Sequence, residues 1–485
     1  MEAGIILLGL GPGDPEMLSR KAWTLLENSV EIYLRTRKHP TVAGFPAHLQ
    51  VHSFDYLYER HEAFEDVYAQ IIERVLELGR RPQGVVYAVP GNPFLAEATC
   101  PEIARRARQE GLPVQVIDGI SFLDVTFAAL GLDPMPHTPL VDAFELLQAH
   151  APGLPPDAPA LIAQVYSKQV ASDVKLTLME VYPDEHPVML VHGAGTPDLS
   201  VEQLPLHAID RSFLIGLLTT LYVPALGAAT SFEGLQEVIA HLRAPDGCPW
   251  DKEQTHRSLR TYLLEETYEV LSALDAEDHH ALCEELGDLL LQILLHAQIA
   301  SEDGEFRMAD VIRGIHTKLV SRHPHVFGDL QVSDTEHVLR NWEQLKAQER
   351  KNKGKEKKSA LDGIAPALPA LSQAQEYQSR AARFGFEWPD LSMVFEKVQE
   401  EIEEIKQAED AQQREQEIGD LFSAATNLAR FYQVDAESAL RESNNRFKNR
   451  FGYIEGQAEA QGRQLSDFSL DEMLHLWREA KQLGY

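Results

Sequence analysis

Two acidic residues three positions apart on a helix share a face, and two such pairs on neighbouring antiparallel helices converge on one spot. The chain carries this arrangement twice. In one copy Glu266 and Glu269 precede Glu285 and Asp288, and in the other Glu401 and Glu404 precede Glu417 and Asp420. Four carboxylates gathered at a partly buried place repel one another strongly, so a cation is expected among them. Oxygen donors without His or Cys select Mg²⁺ or Mn²⁺ over zinc. Such an ion suits polyphosphate chemistry, because it neutralises the phosphates, lowers the pKa of a bound water and aligns it for in-line attack. Glu265 and Glu400 are spare carboxylates suited to take the water's proton. Lys318 and Arg322 in the first copy, and Arg446 and Arg450 in the second, are cations for the outer phosphates. Trp342 and Trp477, each followed four residues later by a lysine, Lys346 and Lys481, offer faces either to a nucleobase or to the core.

A lone E-E-x-x-E would read as a solvated helix face. Here Glu285 and Asp288 sit in the apolar run EELGDLL, and the whole order repeats with Glu417 and Asp420 in EIGDLF. The elements that must hold these groups are helices. Beyond about Ser231 Leu, Ile and Val recur at helical spacing amid Glu, Lys and Arg, which predicts an all-α region. The first 225 or so residues instead alternate short apolar runs with amphipathic stretches, as parallel strands and crossover helices do. Those runs are Gly4–Leu10, Gly84–Val89, Val114–Asp118, Ala160–Tyr166 and Val188–Val191. The expected plan is multidomain: an N-terminal α/β domain at 1–225, an all-α domain at 231–348, a basic, proline-containing linker at 349–370 and a second all-α domain at 371–485.

Composition narrows the classes. The 485 residues hold 44 Lys+Arg against 75 Asp+Glu, a net charge of −31 that repels nucleic acid; 44% hydrophobic and 25% charged content fits globular domains. Cys100, Cys248 and Cys283 form neither a disulfide framework nor a zinc motif, and a reducing cytoplasm is the expected location. The 21 uncharged residues between Arg211 and Glu233 are interrupted by Gly and Pro, and read as a buried strand or short helix and a turn, not a membrane span. His279-His280 and His323-Pro-His325 read as surface or helix-end residues. Ser121 has no His and Asp partners for a hydrolase triad, and Cys100 reads as packing.

The segments GCPWDKEQTHRSL, EETYEV, EELGDLLLQ and RHPHVF, then EEIEEI, EIGDLFSAATNLAR and NNRFKNRF, resemble two tandem MazG-type nucleoside triphosphate pyrophosphohydrolase domains, over about Ser231–Tyr485. The resemblance implies all-α bundles that pair as homodimers, Mg²⁺ dependence, and cleavage of NTPs or dNTPs to monophosphate and pyrophosphate. Its metal ligands would be the eight residues Glu266, Glu269, Glu285, Asp288, Glu401, Glu404, Glu417 and Asp420. Arg446 stands where a lysine is common, which keeps charge and alters hydrogen-bond geometry.

At the other end, Gly9-x-Gly11-Pro12-Gly13-Asp14-Pro15, with Tyr87-Ala-Val-Pro-Gly-Asn-Pro93, Gly119-Ile-Ser-Phe122 and the strand holding Gln164, is similar to the tetrapyrrole methylase family over about Gly4–Pro224. That resemblance implies S-adenosylmethionine bound between two α/β subdomains, near Pro12, Gly91, Asn92, Leu95, Ser121, Phe122 and Gln164. Asn92 departs from the Asp of the family's G-D-P loop. The fusion resembles a YabN-like arrangement. Three readings follow: an NTP pyrophosphohydrolase, an S-adenosylmethionine-dependent methyltransferase with accessory helices, or a nucleotide sensor without turnover. The expected partners are nucleoside triphosphates and a second copy of the chain, with no nucleic acid and no membrane.

Overall fold

The apolar run IILLG forms β1 (Ile5–Gly9), buried along almost its whole length as a strand covered on both faces must be. It lies parallel between β4 (Val85–Val89) and β5 (Val114–Ile117), with β2 (Glu31–Leu34) and β3 (Gln50–Ser53) beyond β4, in the order β3-β2-β4-β1-β5. One face packs on residues of the Phe64–Gly79 and Thr99–Gln109 helices through Ile5, Leu7, Tyr87 and Val89. The other packs on the Arg20–Asn28 helix through Leu8, Leu10, Val86 and Ala88. In this computed structural model the described residues are 4–61, 63–335, 337, 338, 341, 342, 345, 346, 349 and 359–485. The basic run Arg350–Lys358 lies outside them.

A second sheet contains β6 (Leu140–Asp142), β7 (Ala160–Ala163), β8 (Pro187–His192), β9 (Ser200–Pro205) and β10 (Thr219–Val223), in the order β6-β7-β10-β8-β9. It corrects the expectation of parallel strands throughout. Only β6 and β7 run parallel, while β10 is antiparallel to β7 and β8, and β8 is antiparallel to β9. The connection at 193–199 is too short for a crossover, so β9 must turn straight back along β8. The buried strand β10 occupies the uncharged stretch before Glu233. Among the described residues no helix is long and apolar enough to cross a membrane.

Contacts divide the chain into two units, Met1–Glu253 and Gln254–Tyr485. The first runs past Ser231 and includes the helices Phe232–Arg243 and Pro249–Glu253. Ser231 caps the former and bonds the Asp157 carboxylate. The second unit contains the Arg260–Asp275, His279–Glu302 and Met308–Arg322 helices, then Ala370–Ala382, Leu391–Gln407, Ala411–Phe431, Ala436–Ala460 and Leu470–Gln482. Asp278, Asp390, Asp410 and Asp435 cap four of these by accepting backbone N–H groups of the first turn. The connections at 276–278 and 408–410 are short, which forces the helices on either side into antiparallel hairpins. Arg441 of the fourth capped helix reaches Asp275 at 3.2 Å and lies over the Tyr268 ring, linking the two repeats.

In the loop after β2, His39 is 5% exposed and its Nδ1 has no hydrogen-bond partner. Burial pushes its pKa down from 6.5 to about 4. The unfolded chain protonates first, so the stability held above pH 6.5 is lost as the pH falls toward 4. Wild-type protein should lose about 2 kcal/mol more than His39→Gln between pH 7.5 and 5 in the unfolding transition of the first unit. Equal losses by denaturant titration would contradict this assignment.

Candidate active site

The first hairpin brings carboxylate oxygens of Glu266, Glu285 and Asp288 within 4.8 Å of one another, all three residues half-buried. The Glu269 carboxylate adds to the pKa rise of both Glu266 and Glu285. Burial, then the charge of Asp288 and the neighbouring Glu269 carboxyl, raise the Glu266 pKa above the ordinary carboxylate range. Burial and the charges of Glu269, Glu284 and Asp288 do the same to Glu285. Glu265 is exposed beside them, and its charge adds to the rise of Glu266.

The second hairpin does likewise with Glu401, Glu417 and Asp420, again within 4.8 Å. Burial, then the neighbouring Glu401 carboxyl, raise the Glu404 pKa. Glu401 is only 4% exposed. Here a residue absent from the sequence reading enters: Lys397, one helical turn earlier, places Nζ 2.8 Å from Glu401 and 3.1 Å from Glu400. Those carboxylates, the Glu401 bond foremost, raise the lysine's pKa. The Lys-x-x-x-Glu spacing was a visible signal. Tyr262 holds the matching position in the first copy.

Of the cations expected downstream, Arg322, Lys346 and Arg450 lie against the tryptophans. Lys346 Nζ stands 4.2 Å from the Trp342 ring centre and the Arg322 guanidinium 5.6 Å from it, while Arg322 also grips Glu349 with bonds of 3.1 and 2.6 Å. Cations therefore lie over the Trp342 ring offered as a nucleobase platform. In the second copy Arg450 lies 5.6 Å from the Trp477 ring, which also packs against Phe447 at 5.0 Å. Arg446 pairs with Glu442 at 2.7 Å, and Lys318 and Lys481 are exposed.

In the first unit the ends of β1 and β4 and the loop after β5 meet without side chains. A Cβ on Gly9 or Gly119 would collide with the Gly91 carbonyl, which is why these positions are glycine. Beside this meeting point is a cavity of about 910 Å³ whose lining includes Asn92, Leu95, Gly119, Ser121, Asp124 and Phe127. Asn92 Nδ2 donates to the Gly119 carbonyl at 3.3 Å and its Oδ1 accepts from Phe94 N at 2.9 Å. An aspartate could make only the second of these bonds. Ser121 caps the Phe122–Leu130 helix. Phe122 packs with Phe127, Leu161 and Tyr222, and Pro12 is buried against Gly195. Gln164, at φ +65°, donates to Asp142 at 2.7 Å, and Gly91 adopts φ +66° at the turn.

Residues 4–210 match the tetrapyrrole (corrin/porphyrin) methylases, and residues 254–327 match the MazG nucleotide pyrophosphohydrolase domain. The protein YabN of Bacillus subtilis (strain 168) is 42% identical over 491 aligned positions, covering 99% of this chain and 99% of its own length. The chain belongs to the YabN family. In this chain a methylase-type α/β fold precedes a largely helical region that carries the MazG match. Two further relatives match the helical half. They are the nucleoside triphosphate pyrophosphohydrolase/pyrophosphatase MazG of Thermotoga maritima and the nucleoside triphosphate pyrophosphohydrolase of Escherichia coli (strain K12). Each is 44% identical over 254 residues, covering 52% and 51% of this chain and 97% and 96% of their own. Alignments of that length are much longer than the 254–327 match.

Proposed function

We propose that the helical unit hydrolyses nucleoside triphosphates to monophosphates and pyrophosphate with a bound Mg²⁺ or Mn²⁺. The observation that carries this reading is the pair of oxygen-only clusters, each drawn within 4.8 Å although their members repel. Donor chemistry and the raised pKa values of Glu266, Glu285 and Glu404 fit a divalent ion, whose charge would offset that repulsion. Glu266, Glu269, Glu285 and Asp288 would hold it in one copy, and Glu401, Glu404, Glu417 and Asp420 in the other. When bound, the ion supplies charge neutralisation and acidifies water. Glu265 and Glu400, at the margins, take the proton released as water attacks phosphorus. Lys318, Arg322, Lys346, Arg446, Arg450 and Lys481 would meet the phosphates, with Trp342 and Trp477 supporting the cations that lie over their rings. The relatives named as pyrophosphohydrolases support the same reaction.

Apolar side chains remain exposed on the hairpins: Leu264, Leu286 and Ile293 in the first copy, and Phe395 and Phe422 in the second. We propose that a second copy covers them, since a bundle helix is stable only when its apolar stripe is buried. Sedimentation equilibrium should give twice the chain mass; a monomer at micromolar concentration would refute this.

The 910 Å³ cavity beside the close glycine approach supports a second, compatible reading, that the first unit binds S-adenosylmethionine. Leu95→Trp, which fills that cavity, should weaken S-adenosylhomocysteine binding at least tenfold in calorimetry and leave pyrophosphate release unchanged. Undiminished binding would place the ligand elsewhere or nowhere.

For the hydrolase itself, pyrophosphate release from an NTP mixture should fall by about 10²-fold or more in Glu269→Gln/Glu404→Gln, with each single variant showing what its copy contributes. A double variant as fast as wild type would remove the assignment.

A further inference from the structure

The carboxylates of the first copy begin a polar stripe that continues along the His279–Glu302 helix. At about 100° per residue, Glu285, Asp288, Gln292 and His296 fall within roughly 80° of one face. Gln292 and His296 lie about 6 and 12 Å beyond Asp288 along the axis. Gln292 is 5% exposed, and its Oε1 is buried without a hydrogen-bond partner. His296 Nε2 is also buried and unpartnered, while its Nδ1 faces His256 Nδ1 at 2.8 Å with the two rings stacked. Buried polar atoms are normally paired, so two orphans in line with a cluster suited to polyphosphate mark a place for ligand atoms. With Glu285 aligned to Glu417, the second copy has Ala424 and Leu428 at these positions. The stripe is therefore a property of the first copy alone.

We propose that the first carboxylate cluster takes a nucleotide whose nucleoside lies along this stripe, an N–H or O–H donor of the nucleoside bonding Gln292 Oε1 and a second polar atom meeting His296 Nε2. This rests on the reading of that cluster as a metal and polyphosphate site. A carbonyl oxygen demands a donor, which a nucleoside supplies from the amino group of its base or from a ribose hydroxyl. Glutamine is a common partner of the amino edge of adenine. Where a site is built to hydrogen-bond such a group, an analogue lacking it is rejected. The first copy accordingly discriminates among nucleotides, and the second, apolar at both positions, lacks these contacts.

The test uses the full chain carrying Glu401→Gln and Glu404→Gln, which disarm the second cluster. Calorimetry with Mg²⁺ compares the α,β-methylene analogues of ATP, ITP and dATP. Gln292→Leu should weaken the ATP analogue at least tenfold without lowering the ligand-free melting temperature, since leucine removes an unpaired buried oxygen. Weak binding of the ITP analogue to the parent assigns the donor to the base amino group, and weak binding of the dATP analogue assigns it to the ribose 2′-hydroxyl. If Gln292→Leu binds all three as the parent does while Glu269→Gln abolishes binding, the stripe proposal is overturned and the metal reading stands. Binding that neither substitution weakens, or no binding by the parent, overturns the metal reading of the first cluster and the proposal with it.

Discussion

Electrostatic repulsion among carboxylates that the backbone will not let separate is the constraint on which the helical half depends. Each hairpin has a short connection, and each cap fixes where its helix begins, so the acidic residues face one another whatever their charges prefer. The two copies relieve the strain differently. In the second, Lys397 neutralises part of the charge from within the same helix, whereas the first has the uncharged Tyr262 at that position and its Glu266 and Glu285 are left with raised pKa values. An ion bound in either copy would replace these makeshift arrangements with direct coordination.

Close backbone approach plays the corresponding role in the α/β half. Gly9, Gly91 and Gly119 bring three chain segments together at the carboxyl edge of the first sheet, where ligands of open α/β folds bind. The cavity beside that meeting point follows from it, and Asn92 ties two of the three loops with bonds that require an amide. The two halves thus rest on different physical devices in one chain: one of shape, the other of charge.

The carboxylate clusters were legible because helix periodicity is a local property and the repeat displays it twice. The α/β and all-α halves were legible for the same reason, since a change of hydrophobic period needs no tertiary knowledge. Strand direction in the second sheet was not, because a four-residue apolar run looks alike in parallel and antiparallel company; the short loop after β8 was the available clue. Side-chain direction in the methylase-like cleft was also hidden. Gln164 turns to Asp142 through a left-handed backbone, and Phe122 turns inward to an aromatic cluster, neither of which spacing reveals. Lys397 is legible four residues before Glu401, at the spacing of an ion pair within one helix. The orphaned atoms of Gln292 and His296 depend on what packs over them, and only coordinates show that.

The most direct measurement of the central claim is anomalous scattering from crystals of the full chain soaked in Mn²⁺. The account predicts manganese peaks between Glu266, Glu285 and Asp288 and between Glu401, Glu417 and Asp420, within coordination distance of their oxygens. Ordered side chains in both clusters with no anomalous density among them would contradict it.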